Sequence, residues 1–228
     1  MPRLVRNLTI VDEGQDFDSS YWIPVPELLK DPVTGVLYVF FDINQRIYTQ
    51  LSNIPVSKEQ PPLVLSDNCR NTKAIFEILR KYTNTSIDTT CIGPNGRPVE
   101  YIPASDDAET QKVLRSTLHD LIDKKGAISS QIIVLTPRNE DNSLWKEGLM
   151  LGNYKLTWHP NNLSQRQIRV STIHSFKGLE CPIVILTEMK FAFPEAREQL
   201  TYIGVSRARN HLIIIGELPN TEGSETRP

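Results

Sequence analysis

The chain has 228 residues, 39% of them hydrophobic and 23% charged, with a net charge of −2 and a mean hydropathy of −0.31. That composition suits an ordinary globular protein and excludes several classes: no apolar run approaches the ~20 residues that cross a bilayer, and the N-terminus has no signal-peptide pattern. Three widely spaced cysteines (Cys69, Cys91, Cys181) give neither a disulfide framework nor a CxxC metal site, so a reducing cytoplasm is the expected compartment; a pI near 6.1 lends nothing to duplex-DNA binding but leaves room for a narrow single-strand groove.

In chain order, the apolar runs Leu8–Val11, Val36–Phe41, Leu63–Leu65, Ile132–Leu135, Ile168–Val170, Ile183–Leu186 and Leu212–Ile215 read as strands. Most are continuous rather than alternating, the pattern of parallel strands buried on both faces. Between them, Thr72–Tyr82 sets Ala74, Ile75, Ile78, Leu79 and Tyr82 on one helical face, with Asn71 or Thr72 as N-cap. Asp107–Lys125 gathers Val113, Leu114, Leu118, Leu121 and Ile122 in the same way and stops at Gly126. A third helix covers Glu195–Arg207. Strands alternating with helices predict an α/β fold with a mostly parallel sheet and flanking helices. Connections rich in Pro, Ser and Asn occupy 52–62 and 83–98, and the tail 218–228 has too little apolar content to order itself.

Polar residues cluster where strands end. Leu8-Thr9-Ile10-Val11 delivers Asp12 and Glu13 to a C-terminal strand edge, the side of an open α/β sheet where ligands bind. An Asp there suits Mg²⁺, a hard cation that takes oxygen ligands and bridges phosphates, and the neighbouring Glu13 suits metal contact or polarisation of an attacking water. The run Val36–Phe41 leads in the same way to Asp42, Gln45 and Tyr48. Arg70 precedes a helix start, and Arg207 ends one. Thr172-Ile173-His174-Ser175-Phe176-Lys177-Gly178-Leu179-Glu180 lies between two apolar strands. Trp145 and Trp158 read as packing residues, and His119, His159 and His211 as structural or surface ones.

These segments, Val-Asp-Glu-Gly-Gln-Asp at 11–16, Phe-Asp-Ile-Asn-Gln-Arg-Ile-Tyr at 41–48, Asn-Cys-Arg-Asn at 68–71, the 172–180 stretch and Val-Ser-Arg-Ala-Arg at 205–209, resemble motifs II to VI of the superfamily 1 helicases of the UvrD/Rep type. The resemblance implies a RecA-like (P-loop NTPase type) fold. Residues 1–55 would be a C-terminal remnant of the first RecA-like domain, and 60–217 a complete second one. It implies an ATP-dependent DNA helicase that uses ATP and Mg²⁺ and moves on single-stranded DNA. Asp12 and Glu13 would hold the metal, with Glu13 directing water. Gln15 would couple the site to DNA, with Asp42 on the same nucleotide edge. Gln45 would sense the γ-phosphate, and Arg70 and Arg207 would act as arginine fingers. Gly178 and Glu180 would meet the nucleotide, Glu180 accepting from the ribose, while Tyr48, Thr172 and His174 would face the single strand. Lys177 would pair with a carboxylate or phosphate, and Arg209 reads as structural or merely basic rather than catalytic.

Three departures from the family pattern are Phe41 for Gly, Cys69 for Tyr and Ser206 for Thr. A larger one is that nothing fits Gly-x4-Gly-Lys-Ser/Thr, the Walker A loop whose backbone N–H groups cradle phosphates. The expectation is therefore a chain with little turnover alone, its Walker A region supplied in cis or in trans. The roughly 30 residues between the strand ending at Thr136 and the 172–180 stretch are too few for the large domain inserted there in bigger relatives. A second reading is a non-catalytic nucleic-acid- or protein-binding module derived from a RecA-like domain. Retention of Asp12, Glu13, Gln45, Arg70, Glu180 and Arg207 argues against it, since a pure binding module needs none of them.

Overall fold

A computed structural model describes residues 7–31, 34–42, 62–83, 89–159 and 164–218. The chain divides into two compact units, 1–65 and 66–228. Gln45 and Tyr48 lie outside the described residues, as does the tail from 219.

In the first unit, β1 (Leu8–Val11) pairs in parallel with β2 (Val36–Val39), Leu8 opposite Val36 and Val11 opposite Val39. Parallel neighbours require a crossover. Here it is made of single 3₁₀ turns at Gly14–Asp16, Ser19–Trp22 and Pro26–Leu28. Asp18 starts the second by accepting from the Ser20 N–H at 3.0 Å. One face of the ribbon buries Val11, Leu37 and Val39 against Trp22, Val25 and Phe17. On the other face Leu8, Ile10, Val36 and Tyr38 are exposed, so these strands are covered on one side where the continuous apolar pattern predicts two.

The second unit opens with β3 (Asp67–Asn68), α1 (Lys73–Arg80) and β4 (Thr90–Cys91), β3 and β4 being parallel. Leu63–Leu65 is not a strand. Pairing with β4 begins at Asp67, and Leu63 and Leu65 stand 89% and 78% exposed. Then come β5 (Glu100–Ile102), α2 (Asp107–His119), β6 (Ile132–Thr136), β7 (Met150–Leu151), β8 (Tyr154–Thr157), β9 (Gln167–Thr172), β10 (Cys181–Leu186), α3 (Arg197–Ser206) and β11 (Ala208–Ile215). The seven-stranded order is β5-β11-β10-β6-β9-β8-β7, parallel throughout except for β7 against β8.

Helix α2 starts where the Asp106 carboxylate accepts from the Glu109 N–H at 2.8 Å, and it runs on through a π-helical turn at Asp120–Lys124. Its Leu114, Leu118 and Leu121 pack on Ile132, Val134, Ile168, Val170, Ile185, Ile213 and Ile215. The alternate residues of these strands point to the opposite face, where Gly204 of α3 lies over Leu186 and Ile173. All five residues of β6 are buried, as expected of a central parallel strand. At α1, Thr72 occupies the N-cap without a side-chain cap. The first helical N–H groups instead reach the Pro94 carbonyl (Lys73, 2.8 Å) and the Asn95 carbonyl (Ala74, 3.1 Å). No helix among the described residues is long and apolar enough to cross a membrane.

Candidate nucleotide and nucleic-acid site

Because β1 and β2 are parallel, their C-terminal ends bring Asp12, Glu13 and Asp42 to one edge of the first unit. Gln15 joins them: its amide nitrogen donates to the Glu13 carboxylate, and its oxygen accepts from the Asp42 N–H at 2.9 Å. The buried Gln15 therefore sets the distance between the two segments. Gly14 allows the turn, since a Cβ there would lie 2.7 Å from Val39 Cγ1 while its N–H donates to the Phe40 carbonyl at 2.8 Å. Glu13 has a φ of 52°, a left-handed conformation that costs an L-residue ~1 kcal/mol or more. The Asp12 carboxylate accepts from the Glu13 N–H at 2.9 Å and is otherwise turned to solvent. Its oxygens are of the kind that Mg²⁺ prefers. Among the described residues no group of three or more His, Cys, Asp or Glu is gathered for a metal.

In the second unit, Arg70, Glu180 and Arg209 meet at the edge where β10 and β11 begin. The Glu180 carboxylate stands 3.4 Å from Arg70 Nε and 3.1 Å from Arg209 Nη1. All three side chains are about half exposed, so each pair is worth at most ~1 kcal/mol and is readily exchanged for another anion. Asn71 holds Arg70 there. Its buried side-chain amide donates to the Ala208 carbonyl at 2.6 Å and the Ser206 carbonyl at 3.2 Å, and its Oδ1 accepts from Asn68 at 2.9 Å.

Arg207 is placed differently from the open position a phosphate ligand requires. It is fully buried. Its guanidinium donates to the carbonyls of Ile203 (3.1 Å) and Leu179 (3.2 Å) and to Ser206 Oγ (2.9 Å), and so it ties the end of α3 to the backbone beside Glu180. The exposed guanidiniums at this edge belong to Arg70 and to Arg209, which the sequence reading set aside.

The 172–180 segment runs from one edge of the sheet to the other. β9 ends at Thr172, beside Thr136 of β6, whereas Glu180 immediately precedes the start of the parallel strand β10. Thr172 Oγ1 accepts from the Ser175 N–H at 2.9 Å, fixing the first turn, and His174 is exposed there. Ile173 and Phe176 are buried beneath the crossover. Gly178, at φ 79°, makes the last bend before Glu180. Cys181, next in line, is buried, which pushes its thiol up to about 11 and keeps it protonated.

At the C-terminal edge, beyond β10, sits a network absent from the sequence reading. Glu188, buried and at φ 59°, accepts from Ser143 Oγ (2.6 Å), Thr136 Oγ1 (2.7 Å) and the Leu144 N–H (3.0 Å), and it pairs with Arg138 at 3.5 Å. Arg138 lies 4.3 Å from the centroid of Phe191, whose ring Lys190 also approaches at 5.0 Å. Arg197 holds the same turn through the Ala192 carbonyl at 3.2 Å. Phe191 and Phe193 stand 45% and 72% exposed, on the edge that carries Thr172. Cations and accessible rings on a braced turn are the equipment of a single-strand binding surface. The signal available in the sequence was Thr187-Glu188 after an apolar strand, the same arrangement as Val11-Asp12-Glu13. Trp145 is fully buried with its Nε1 donating to Thr187 Oγ1 at 2.8 Å, and Trp158 donates to the Trp145 carbonyl, so both pack as expected.

Residues 167–215 match the model of the UvrD-like helicase C-terminal domain family. Over that stretch the chain is similar to the C-terminal domain of UvrD-like helicases. The match takes in β9, the whole of motif V, β10, α3 with motif VI, and β11, the strands and loops that join the two edges. No curated protein sequence matches the chain. Among solved structures, the C-terminal domain of a possible DNA helicase from Lactobacillus plantarum WCFS1 aligns at a TM-score of 0.50 and 17% identity, covering 66% of this chain and 88% of that one. Arterivirus nonstructural protein 10, a helicase, aligns at 0.47 and 17% identity, covering 94% of this chain and 40% of that one. The PRRSV helicase aligns at 0.48 and 13%, covering 92% and 37%. This chain thus spans less than half the length of either viral helicase. The seven-stranded, mostly parallel sheet with its flanking helices is similar to helicase domains of RecA-like fold.

Proposed function

We propose that this chain is the C-terminal portion of an ATP-dependent superfamily 1 DNA helicase or translocase, in which Mg·ATP hydrolysis drives movement on single-stranded DNA. The observation that carries this reading is the course of motif V, which links an edge bearing Thr172 and His174 to an edge bearing Glu180 and Arg70. Asp12 would hold Mg²⁺, with Asp42 at the same edge, and Glu13, whose carboxylate accepts from the Gln15 amide, would take the proton of the attacking water. ATP with its Mg²⁺ supplies the phosphoryl group when bound. Arg70, paired with Glu180 at 3.4 Å, would bind the γ-phosphate, Glu180 would accept from the ribose hydroxyls, and Gly178 would let the backbone approach the nucleotide. Arg207 contributes by holding the Leu179 backbone. Gln45 senses the γ-phosphate. Tyr48, Thr172 and His174 follow the strand, extended by Arg138, Lys190 and Phe191.

The phosphate cradle is supplied by a Walker A region in cis or in trans, so the 228 residues alone turn over little ATP. Two measurements on the chain test the proposal: oligodeoxythymidylate binding by fluorescence anisotropy, and phosphate release from Mg·ATP with and without that oligonucleotide. Salt-sensitive binding with background turnover is expected. Absence of binding at low salt would overturn the nucleic-acid role, and robust release abolished by Glu13→Gln would overturn the need for an outside cradle.

A further inference from the structure

Arg169 has no place in the chemistry above, yet it lies under motif V. It is the third residue of β9, and its neighbours Ile168 and Val170 are fully buried in the core on the α2 face. Alternation sends Arg169 to the opposite face, where the crossover lies. There its guanidinium carbon stands 5.1 Å from the ring centroid of Phe176, a side chain 3% exposed at the middle of the crossover. The Arg169 Nε is buried without a hydrogen-bond partner. Stranding a donor in this way is unfavourable, and an apolar side chain of equal length would fill the space without it. What Arg169 gains in return is the face of Phe176, a cation–π contact that strengthens when withdrawn from water.

Phe176 is the point from which both ends of motif V are measured. Its N–H donates to the Thr172 carbonyl at 3.1 Å and its carbonyl accepts from the Leu179 N–H at 3.2 Å. Fixing the ring therefore fixes Thr172 and His174 on one side and Gly178 to Glu180 on the other. We propose that Arg169 is a positioning residue for motif V: by clamping Phe176 it sets the spacing between the nucleic-acid edge and the nucleotide edge. The proposal rests on the functional reading of those two edges given above.

The test uses the full chain with Arg169→Met, Arg169→Lys and Phe176→Leu. Hydrogen–deuterium exchange is followed at 173–180, with 132–136 and 208–215 as internal controls, and oligodeoxythymidylate affinity is measured in parallel. Arg169→Met should raise exchange at 173–180 about tenfold, leave both control strands protected, and weaken oligonucleotide binding several-fold. Arg169→Lys should restore part of both effects, because a cation over the ring survives. Arg169→Met combined with Phe176→Leu should be no worse than either alone, the mark of one shared contact. Unchanged exchange at 173–180, additive effects, or a Lys variant no better than Met would overturn the proposal. If Arg169→Met loses its fold, Arg169→Lys decides by whether its exchange rises at 173–180 or uniformly. A wild-type chain that binds no oligonucleotide sinks the functional reading, while the exchange pattern still decides the clamp.

Discussion

The two edges of the seven-stranded sheet hold their charges in opposite ways. Where β10 and β11 begin, Glu180 lies between Arg70 and Arg209 in the open, each partner about half exposed. Beyond the end of β10, Glu188 is buried and saturated by two hydroxyls, a backbone N–H and Arg138. Solvent screens the first carboxylate, so its partners can be exchanged for a ligand at small cost. The second cannot release its partners without stranding a buried charge. One edge is arranged to change partners and the other to stay fixed while presenting Phe191. A carboxylate at a strand end is thus not one kind of site; burial decides which kind it is.

The sharpest break of that contrast is Glu188→Ala. It should cost about 3 kcal/mol in urea unfolding, since Thr136, Ser143 and the Leu144 N–H lose their acceptor and Arg138 its counterion. Arg207→Ala should follow at about 2 kcal/mol in the same assay, as the Leu179 and Ile203 carbonyls lose a buried charged donor. Glu180→Gln should change unfolding stability by less than ~1 kcal/mol, being a screened surface group. A loss as large as that at Glu188 would erase the distinction between the edges.

The smallest expected effect is a pH dependence. Burial pushes His211 below its usual value; Glu100, 3.2 Å away, opposes this, and Arg97 and Lys125 reinforce it. A base with a depressed folded-state pKa binds fewer protons folded than unfolded, so its contribution is present above the ordinary histidine value near 6.5 and is lost as pH falls below it. Melting temperature should therefore decline modestly from pH 7.5 to 5.5, and His211→Asn should flatten that slope.

Much of this was legible in the sequence because both polar motifs and apolar runs sit at strand ends. The long central strands β6, β10 and β11 announced themselves as continuous apolar stretches, and β9 as the alternating Ile168–Val170. Leu63–Leu65 carried the same composition without a backbone partner, and a pattern that records only side chains cannot see that absence. The three residues of β5 are too short for any period, whereas the β7–β8 hairpin had a usable signal in Gly152-Asn153 between Leu151 and Tyr154. Between β6 and β9 the described residues hold that hairpin and its connections. Among the site residues, the meeting of Arg70 with Glu180 could not be read from positions 110 residues apart in sequence. Nor could the inward turn of Arg207, which depends on where the Leu179 carbonyl points. Motif resemblance named the candidates; only the packing showed which guanidiniums face solvent.

The most direct test of two distinct edges joined by motif V is oligodeoxythymidylate anisotropy with Phe191→Ala beside Arg70→Ala. The account predicts that Phe191→Ala weakens binding about tenfold, the loss of one stacked base, while Arg70→Ala leaves it within about twofold. Strong loss with Arg70→Ala and none with Phe191→Ala would contradict it, placing the nucleic acid on the edge assigned here to the nucleotide.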